Sequence, residues 1–168
     1  MSVDKQFRID AATESDVPVI LSLILELAEY ERLLHEAVAT EADLRQSLFS
    51  LHPVAEAVIG RHNGEPIAFA VFFRNFSTFL GRPGIYLEDL YVRPPYRGRG
   101  FGSRLLMHLA ALAVERGYGR LEWSVLDWNE LAIKSYRRAG AVPMDGWTGY
   151  RLTGDTLVSL ASKYDKSS

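Results

Sequence analysis

Two groups of residues in this sequence have types and spacing suited to chemistry. The first is Arg97-Gly98-Arg99-Gly100-Phe101-Gly102-Ser103, which follows an apolar strand-like run and opens a helical pattern. Leu105, Leu106, Leu109, Leu112 and Ala113 recur at three-and-four spacing, so the glycines lie in a helix's first turn. A helix start leaves about four backbone N–H groups without partners and carries the positive end of the dipole, and glycines let an anion approach closely. With Arg97, Arg99 and Arg104 around them, these glycines read as a phosphate site rather than as a plain turn. The second group is Glu88 and Asp89, in the middle of Tyr86-Leu87-Glu88-Asp89-Leu90-Tyr91-Val92. A carboxylate is costly in such a run unless it pairs with an arginine across the sheet or handles a cation or proton. Strand alternation places Glu88 and Asp89 on opposite faces unless a bulge intervenes.

The elements that must position these groups follow from pattern. Phe7-Arg8-Ile9-Asp10 reads as a first strand. Thr13-Glu14-Ser15-Asp16 has capping spacing and leads into a helix face of Val17, Ile20, Leu21, Ile24, Leu27 and Ala28. The end of that helix is acidic, with Glu26, Glu29, Glu31 and Glu36, which suits either a solvated face or an electrostatic lip for a cationic substrate. Thr40-Glu41-Ala42-Asp43 repeats the cap and starts a second helix. Residues 54–61 and 67–74 form two strands joined by His62-Asn63-Gly64-Glu65, a hairpin signal. Residues 76–84 read as a loop. After the glycine-headed helix come a strand at 121–126, a helix at 129–138 stopping at Gly140, closing strands at 142–147 and 150–152, and a last helix at 155–160. The expected architecture is an α/β (α+β) sandwich in a single domain, its core spanning about residues 7–160.

Composition narrows the class. The 168 residues suffice for one ordinary domain. A net charge of -2 lacks the basic excess that drives binding to nucleic acid, and it suits a cationic substrate better. There is no cysteine, which removes thiolate metal sites and a cysteinyl acyl intermediate, and no metal is expected. No apolar run approaches 18 residues and no signal-peptide pattern opens the chain, so no membrane partner and a cytoplasmic location are expected.

Three phosphate patterns compete at the glycines. No Lys-Ser/Thr follows them, which argues against a nucleoside-triphosphate loop, and Ser103 stands where a dinucleotide fingerprint has its third glycine. Glu122 sits at roughly the distance of a ribose-binding acid, but the loop follows the fourth strand rather than the first. Arg97, Gly100 and Gly102 supply Arg/Gln-x-x-Gly-x-Gly/Ala instead. This resembles the pyrophosphate signature of the GCN5-related N-acetyltransferases (GNAT), and the element order is that of the same fold, implying a mixed, mostly antiparallel central sheet flanked by helices.

Moving an acetyl group from a thioester to an amine requires a neutral amine, a donor for the oxyanion and stabilisation of the departing thiolate. A primary amine of pKa about 10.4 is only about one part in a few thousand neutral at pH 7. Glu88 is the candidate to attract the cation and take its proton, directly or through water. The Leu90 N–H is a candidate oxyanion donor if the strand is bulged or splayed there. Asn129 heads a helix with Tyr136 two turns further along it, where a phenol can protonate a thiolate or serve simply as a core tyrosine.

Within the superfamily, Glu26-Leu27-Ala28-Glu29-Tyr30-Glu31, Tyr86-Leu87-Glu88-Asp89-Leu90, Tyr96-Arg97-Gly98, Trp128-Asn129-Glu130 and Tyr136-Arg137-Arg138-Ala139-Gly140-Ala141 resemble the diamine (spermidine/spermine) N-acetyltransferase group. The resemblance implies Glu88 as the residue that binds and deprotonates the amine, and Tyr136 as proton donor. It implies Leu90, Tyr91 and Val92 along the acetyl-pantetheine arm of acetyl-CoA, and Gly98, Arg99, Gly100, Phe101, Gly102 and Ser103, with Arg97, at the diphosphate. It further implies Asn129 and Glu130 on the cofactor, Tyr30 and Glu31 on the amine, and a homodimer. Leu131 stands where relatives commonly have Pro, and the Trp147-Thr148-Gly149-Tyr150 region lacks the acid of polyamine-specific members. The resemblance makes diamines or polyamines the first expected substrates. The missing acid, which weakens attraction for a multiply charged chain, brings in thialysine or another amino-acid amine as the second. A non-catalytic CoA-binding sensor module is the alternative of another class.

Overall fold

The computed structural model describes residues 6–164. The chain divides into two compact units, Met1–Glu130 and Leu131–Ser168. In the first, β1 (Phe7–Ala11) is followed by α1 (Val17–Tyr30), α2 (Glu41–Phe49), β2 (Glu56–His62), β3 (Glu65–Ser77), β4 (Arg82–Val92), α3 (Phe101–Glu115) and β5 (Leu121–Trp123). α4 (Glu130–Arg138) begins at the boundary, and α5 (Gly154–Ser162) lies in the second unit.

The local signals formed as their chemistry dictates. Thr40 caps α2 by accepting from the Asp43 amide at 3.2 Å while the Asp43 carboxylate takes the Thr40 amide at 2.8 Å. Thr13 and Asp16 likewise form a capping box around the turn that leads into α1. Asn63 (φ +52°) and Gly64 (φ +85°) both take left-handed conformations, the requirement of a two-residue hairpin turn between β2 and β3.

The five strands lie in sequence order, antiparallel from β1 to β4, with β5 parallel to β4. Apolar residues cover both faces. Ile20, Leu23, Leu27 and Leu48 of α1 and α2 pack on Ile59, Phe69 and Tyr91, while Phe101, Leu105, Leu109 and Ala113 of α3 pack on Val58, Ala70, Phe72, Ile85, Leu87 and Val92. The start of α3 is pinned with particular care. Phe7 stacks on Phe101 with centroids 4.2 Å apart, and Gly60 leaves the room for it, since a Cβ there would come within 2.7 Å of the Phe7 ring.

Three expectations are corrected. Residues 76–84 are not a loop: β3 runs to Ser77 and β4 starts at Arg82, leaving a turn at 78–81. Pro83 is tolerated in the strand because its missing N–H falls on the side away from β3, the side on which the next amide but one, Ile85, bonds to the Arg120 carbonyl. β5 ends at Trp123 rather than 126. No strand forms at 142–147 or 150–152: Pro143, Gly146 (φ +89°) and Gly149 interrupt the run, and the described residues of the second unit offer no strand for it to pair with.

Candidate active site

The β3–β4 ladder slips by one residue at Glu88. Val71 pairs with Asp89 and Phe72 with Leu87, so Glu88 is the extra residue of a bulge. Leu87 and Leu90 both pack into the α3-side core, and the two carboxylates between them therefore fall on the opposite, α1-side face. The bulge thus brings together two acids that simple alternation would have separated. Glu88 is exposed and, among the described residues, pairs with no arginine. Burial pushes the Asp89 carboxyl up to about 6, and the negative charges of Glu88 and Glu31 add to the effect. Burial likewise raises Glu31, at the end of α1.

The same strand exposes main-chain donors. The bond from the Arg93 amide to the Ile67 carbonyl, 2.9 Å, fixes the phase of the ladder: residues 89, 91 and 93 bond to β3, so the peptide groups of Leu90 and Val92 point the other way. Arg97 Nε takes the Val92 carbonyl on that side, at 2.8 Å. β5 pairs with β4 only at Ile85, Tyr86 and Leu87. Past Leu87, that edge of β4 has no strand neighbour among the described residues, and the Leu90 N–H faces away from β3 on that unpaired edge.

At the start of α3, Gly98 (φ +76°) and Gly100 (φ +81°) adopt conformations that suit glycine, and nothing lies within 4 Å of where a Cβ would stand on either. The first bond of the helix runs from the Arg104 amide to the Gly100 carbonyl at 3.0 Å. Among the described residues the amides of Gly98, Gly100, Phe101, Gly102 and Ser103 have no acceptor. Gly102 sits against β4, its Cβ position 3.7 Å from Leu90 and 3.8 Å from Val92, which brings this row of donors close to the outward-facing strand edge.

The three arginines around the glycines brace the loop. The Arg97 guanidinium lies 4.5 Å from the Tyr30 ring centroid and 5.2 Å from that of Tyr91. Arg99 covers Phe101 at 4.9 Å and reaches His62 Nε2 at 3.1 Å, and Arg104 covers Phe7 and donates to its carbonyl at 2.9 Å. Tyr30 also leans on Trp128, centroids 6.0 Å apart, so the end of α1, the glycine loop and the segment carrying Asn129 meet around one aromatic group. Asn129 sits in the turn just before α4, its amide 2.9 Å from the Leu126 carbonyl, and Glu130 opens the helix. The first unit thus gathers Tyr30, Glu31, Glu88, Leu90, Tyr91, Val92, the glycine loop and Asn129. Tyr136 is carried by the second unit, half-buried on α4, whose end closes with the Ala141 amide on the Tyr136 carbonyl at 3.1 Å. Glu122 is engaged internally with Asn75 at 3.3 Å and Arg120 at 3.6 Å, leaving no ribose-binding acid at that place.

Sequence reading missed two features here. Arg93 forks onto Glu26 at 2.9 to 3.2 Å and donates to the Pro66 carbonyl at 3.0 Å, tying α1 to the end of β4; part of the acidic helix end is thereby structural. Arg32, at φ +63°, covers Trp128 at 4.9 Å, and no sequence signal marks an arginine for that backbone conformation.

A family model described as the acetyltransferase (GNAT) family matches residues 22–141, a span that contains the carboxylate pair, the glycine loop and Tyr136. The chain belongs to this family. It is an N-acetyltransferase, of a family that takes its acetyl group from acetyl-CoA. A thialysine N-epsilon-acetyltransferase of Bos taurus is 37% identical over 90% of this chain and 95% of its own length. The L-ornithine N5-acetyltransferase NATA1 of Arabidopsis thaliana is 34% identical over 91% of this chain and 87% of its own. Among solved structures, the integron cassette protein VCH_CASS6 of V. cholerae superposes with a TM-score of 0.78 and 28% identity, covering 93% of this chain and 98% of that one. Among the described residues no helix of the acetyltransferase is long and apolar enough to cross a membrane.

Proposed function

We propose that this chain is one N-acetyltransferase domain that transfers the acetyl group of acetyl-CoA directly to a primary amine of a small molecule, in a ternary complex. The observation that carries the reading is the run of open amides at the start of α3, set beside the outward Leu90 N–H and the bulged carboxylate pair. In this reading the amides of residues 98–103 hold the diphosphate, with Arg97 and Arg99 contributing positive potential. The backbone of Leu90, Tyr91 and Val92 aligns the pantetheine arm, and the Leu90 N–H receives the oxyanion. Asn129 and Glu130 complete the cofactor site.

Glu88 attracts the ammonium and takes its proton, directly or through a water, while Tyr30 and Glu31 contact the amine chain. Nitrogen then attacks the thioester carbonyl, the C–S bond breaks, and Tyr136 gives a proton to the CoA thiolate. The three carboxylates Glu31, Glu88 and Asp89 suit a diamine or polyamine. The thialysine and ornithine enzymes among the relatives favour a second reading, an amino acid with a side-chain amine. The active form in this reading is a cytoplasmic homodimer.

The test is thiol release from acetyl-CoA with spermidine, putrescine, ornithine and thialysine as acceptors. Release with at least one of them is expected. Tight CoA binding with no release for any acceptor would instead leave a sensor module.

A further inference from the structure

α1 ends against a strained residue. Arg32, at φ +63°, occupies a region that side chains rarely adopt and that glycine normally fills at helix ends. The bonds around it, from the Arg32 amide to the Glu29 carbonyl at 3.0 Å and from the Leu33 amide to the Ala28 carbonyl at 2.8 Å, close the helix. Tyr30, next to Glu31, lies beside the Arg97 guanidinium that also covers Tyr91 of β4, which sets this helix end against the strand of the carboxylate pair. The charge of Glu31 adds to the raising of the Asp89 carboxyl. The Arg32 guanidinium instead lies over Trp128, the ring that leans on Tyr30. It is exposed and, among the described residues, has no carboxylate within ion-pair distance, although Glu29, Glu31 and Glu36 are close in sequence.

A glycine at this position would relieve the strain, and an ion pair would satisfy the charge; among the described residues there is neither. What remains is a guanidinium over an aromatic ring, 4.9 Å from its centroid, whose N–H fork has no acceptor among the described residues, the arrangement that receives a carboxylate in bidentate fashion. The end of α1 therefore carries both signs of charge, Glu31 acting on Asp89 and Arg32 resting on Trp128. We propose that Arg32 binds the carboxylate of an amino-acid substrate whose side-chain amine is presented to Glu88 and Asp89. The inference rests on the acetyl-transfer reading above. Arg32 would also repel the second ammonium of a diamine, so one residue favours the amino acid and disfavours its rival.

Arg32→Gly removes the side chain while fitting the backbone, and Arg32→Lys keeps the charge without the fork. Ornithine and putrescine differ only by the carboxylate, so kcat/KM is measured for both, together with KM for acetyl-CoA. For Arg32→Gly the expected result is a fall of about ten- to a hundredfold with ornithine, carried by KM, against an unchanged or higher value with putrescine and an unchanged KM for acetyl-CoA. Arg32→Lys should fall between. Equal losses with both amines would make Arg32 a mere prop for Trp128, and a selective rise in the acetyl-CoA KM would assign it to a cofactor phosphate. Either result overturns the proposal, as does unchanged ornithine kinetics or a wild type that acetylates putrescine or spermidine but neither ornithine nor thialysine. A wild type that releases thiol with no amine defeats the acetyl-transfer reading itself.

Discussion

Asp89 is the residue whose titration couples most directly to the fold. Its carboxyl is raised from 3.8 to about 6, so the folded state holds this proton more tightly than the unfolded chain does. The associated stability is therefore fully present below about pH 4 and is lost as pH rises through 6, an effect of up to about 3 kcal/mol. Denaturant titrations of wild type and Asp89→Asn between pH 4 and 7 should show the wild type losing stability relative to the variant across that window. Parallel curves would mean that Asp89 is not buried against Glu88 and Glu31. At this scale much of the site was legible in the sequence, because Glu88 in an apolar strand and glycines at a helix start are conspicuous by type. That the bulge places Glu88 and Asp89 on one face was not, since it depends on how β4 meets β3. Nor was Arg32, where the left-handed backbone leaves no compositional trace.

Among the elements, α3 and its glycine entry carry the cofactor hypothesis. Gly100 caps the helix at φ +81°, so Gly100→Ala meets no neighbour but imposes strain of about 1–2 kcal/mol. Relief of that strain would turn the amides of residues 98–103. The expected outcome is a melting point lower by a few degrees and an acetyl-CoA KM raised about tenfold or more, with the amine KM little changed. An unaltered acetyl-CoA KM would separate these amides from the cofactor. Capping boxes, the Asn63-Gly64 turn and the spacing of α3 were readable because each is decided within a few residues. The long β3–β4 hairpin was hidden by Ser77, Gly81, Pro83 and Gly84, which look like loop residues until the partner strand is known. The expected strands beyond Gly140 failed because Pro143, Gly146 and Gly149 break apolar runs that are too short to tolerate them.

Across the whole molecule, a sheet covered on both faces fixes β4 and α3, while Tyr136 belongs to a separate compact unit. With Tyr136 as the proton donor, Tyr136→Phe should lower kcat by about ten- to a hundredfold with unchanged acetyl-CoA affinity. Full activity would free the second unit from the chemistry. The acids at the end of α1 and on β4 also predict an amine KM that rises several-fold as ionic strength goes from about 0.01 to 0.1 M, because screening shortens from about 30 to 10 Å. A flat dependence would deny them that attraction. The central claim is that the open amides of residues 98–103 deliver a thioester to Glu88. It is tested most directly by measuring thiol release and equilibrium acetyl-CoA binding side by side for wild type and Glu88→Gln. Equal affinity with turnover reduced about a hundredfold or more is the predicted result; undiminished turnover in the variant would contradict it.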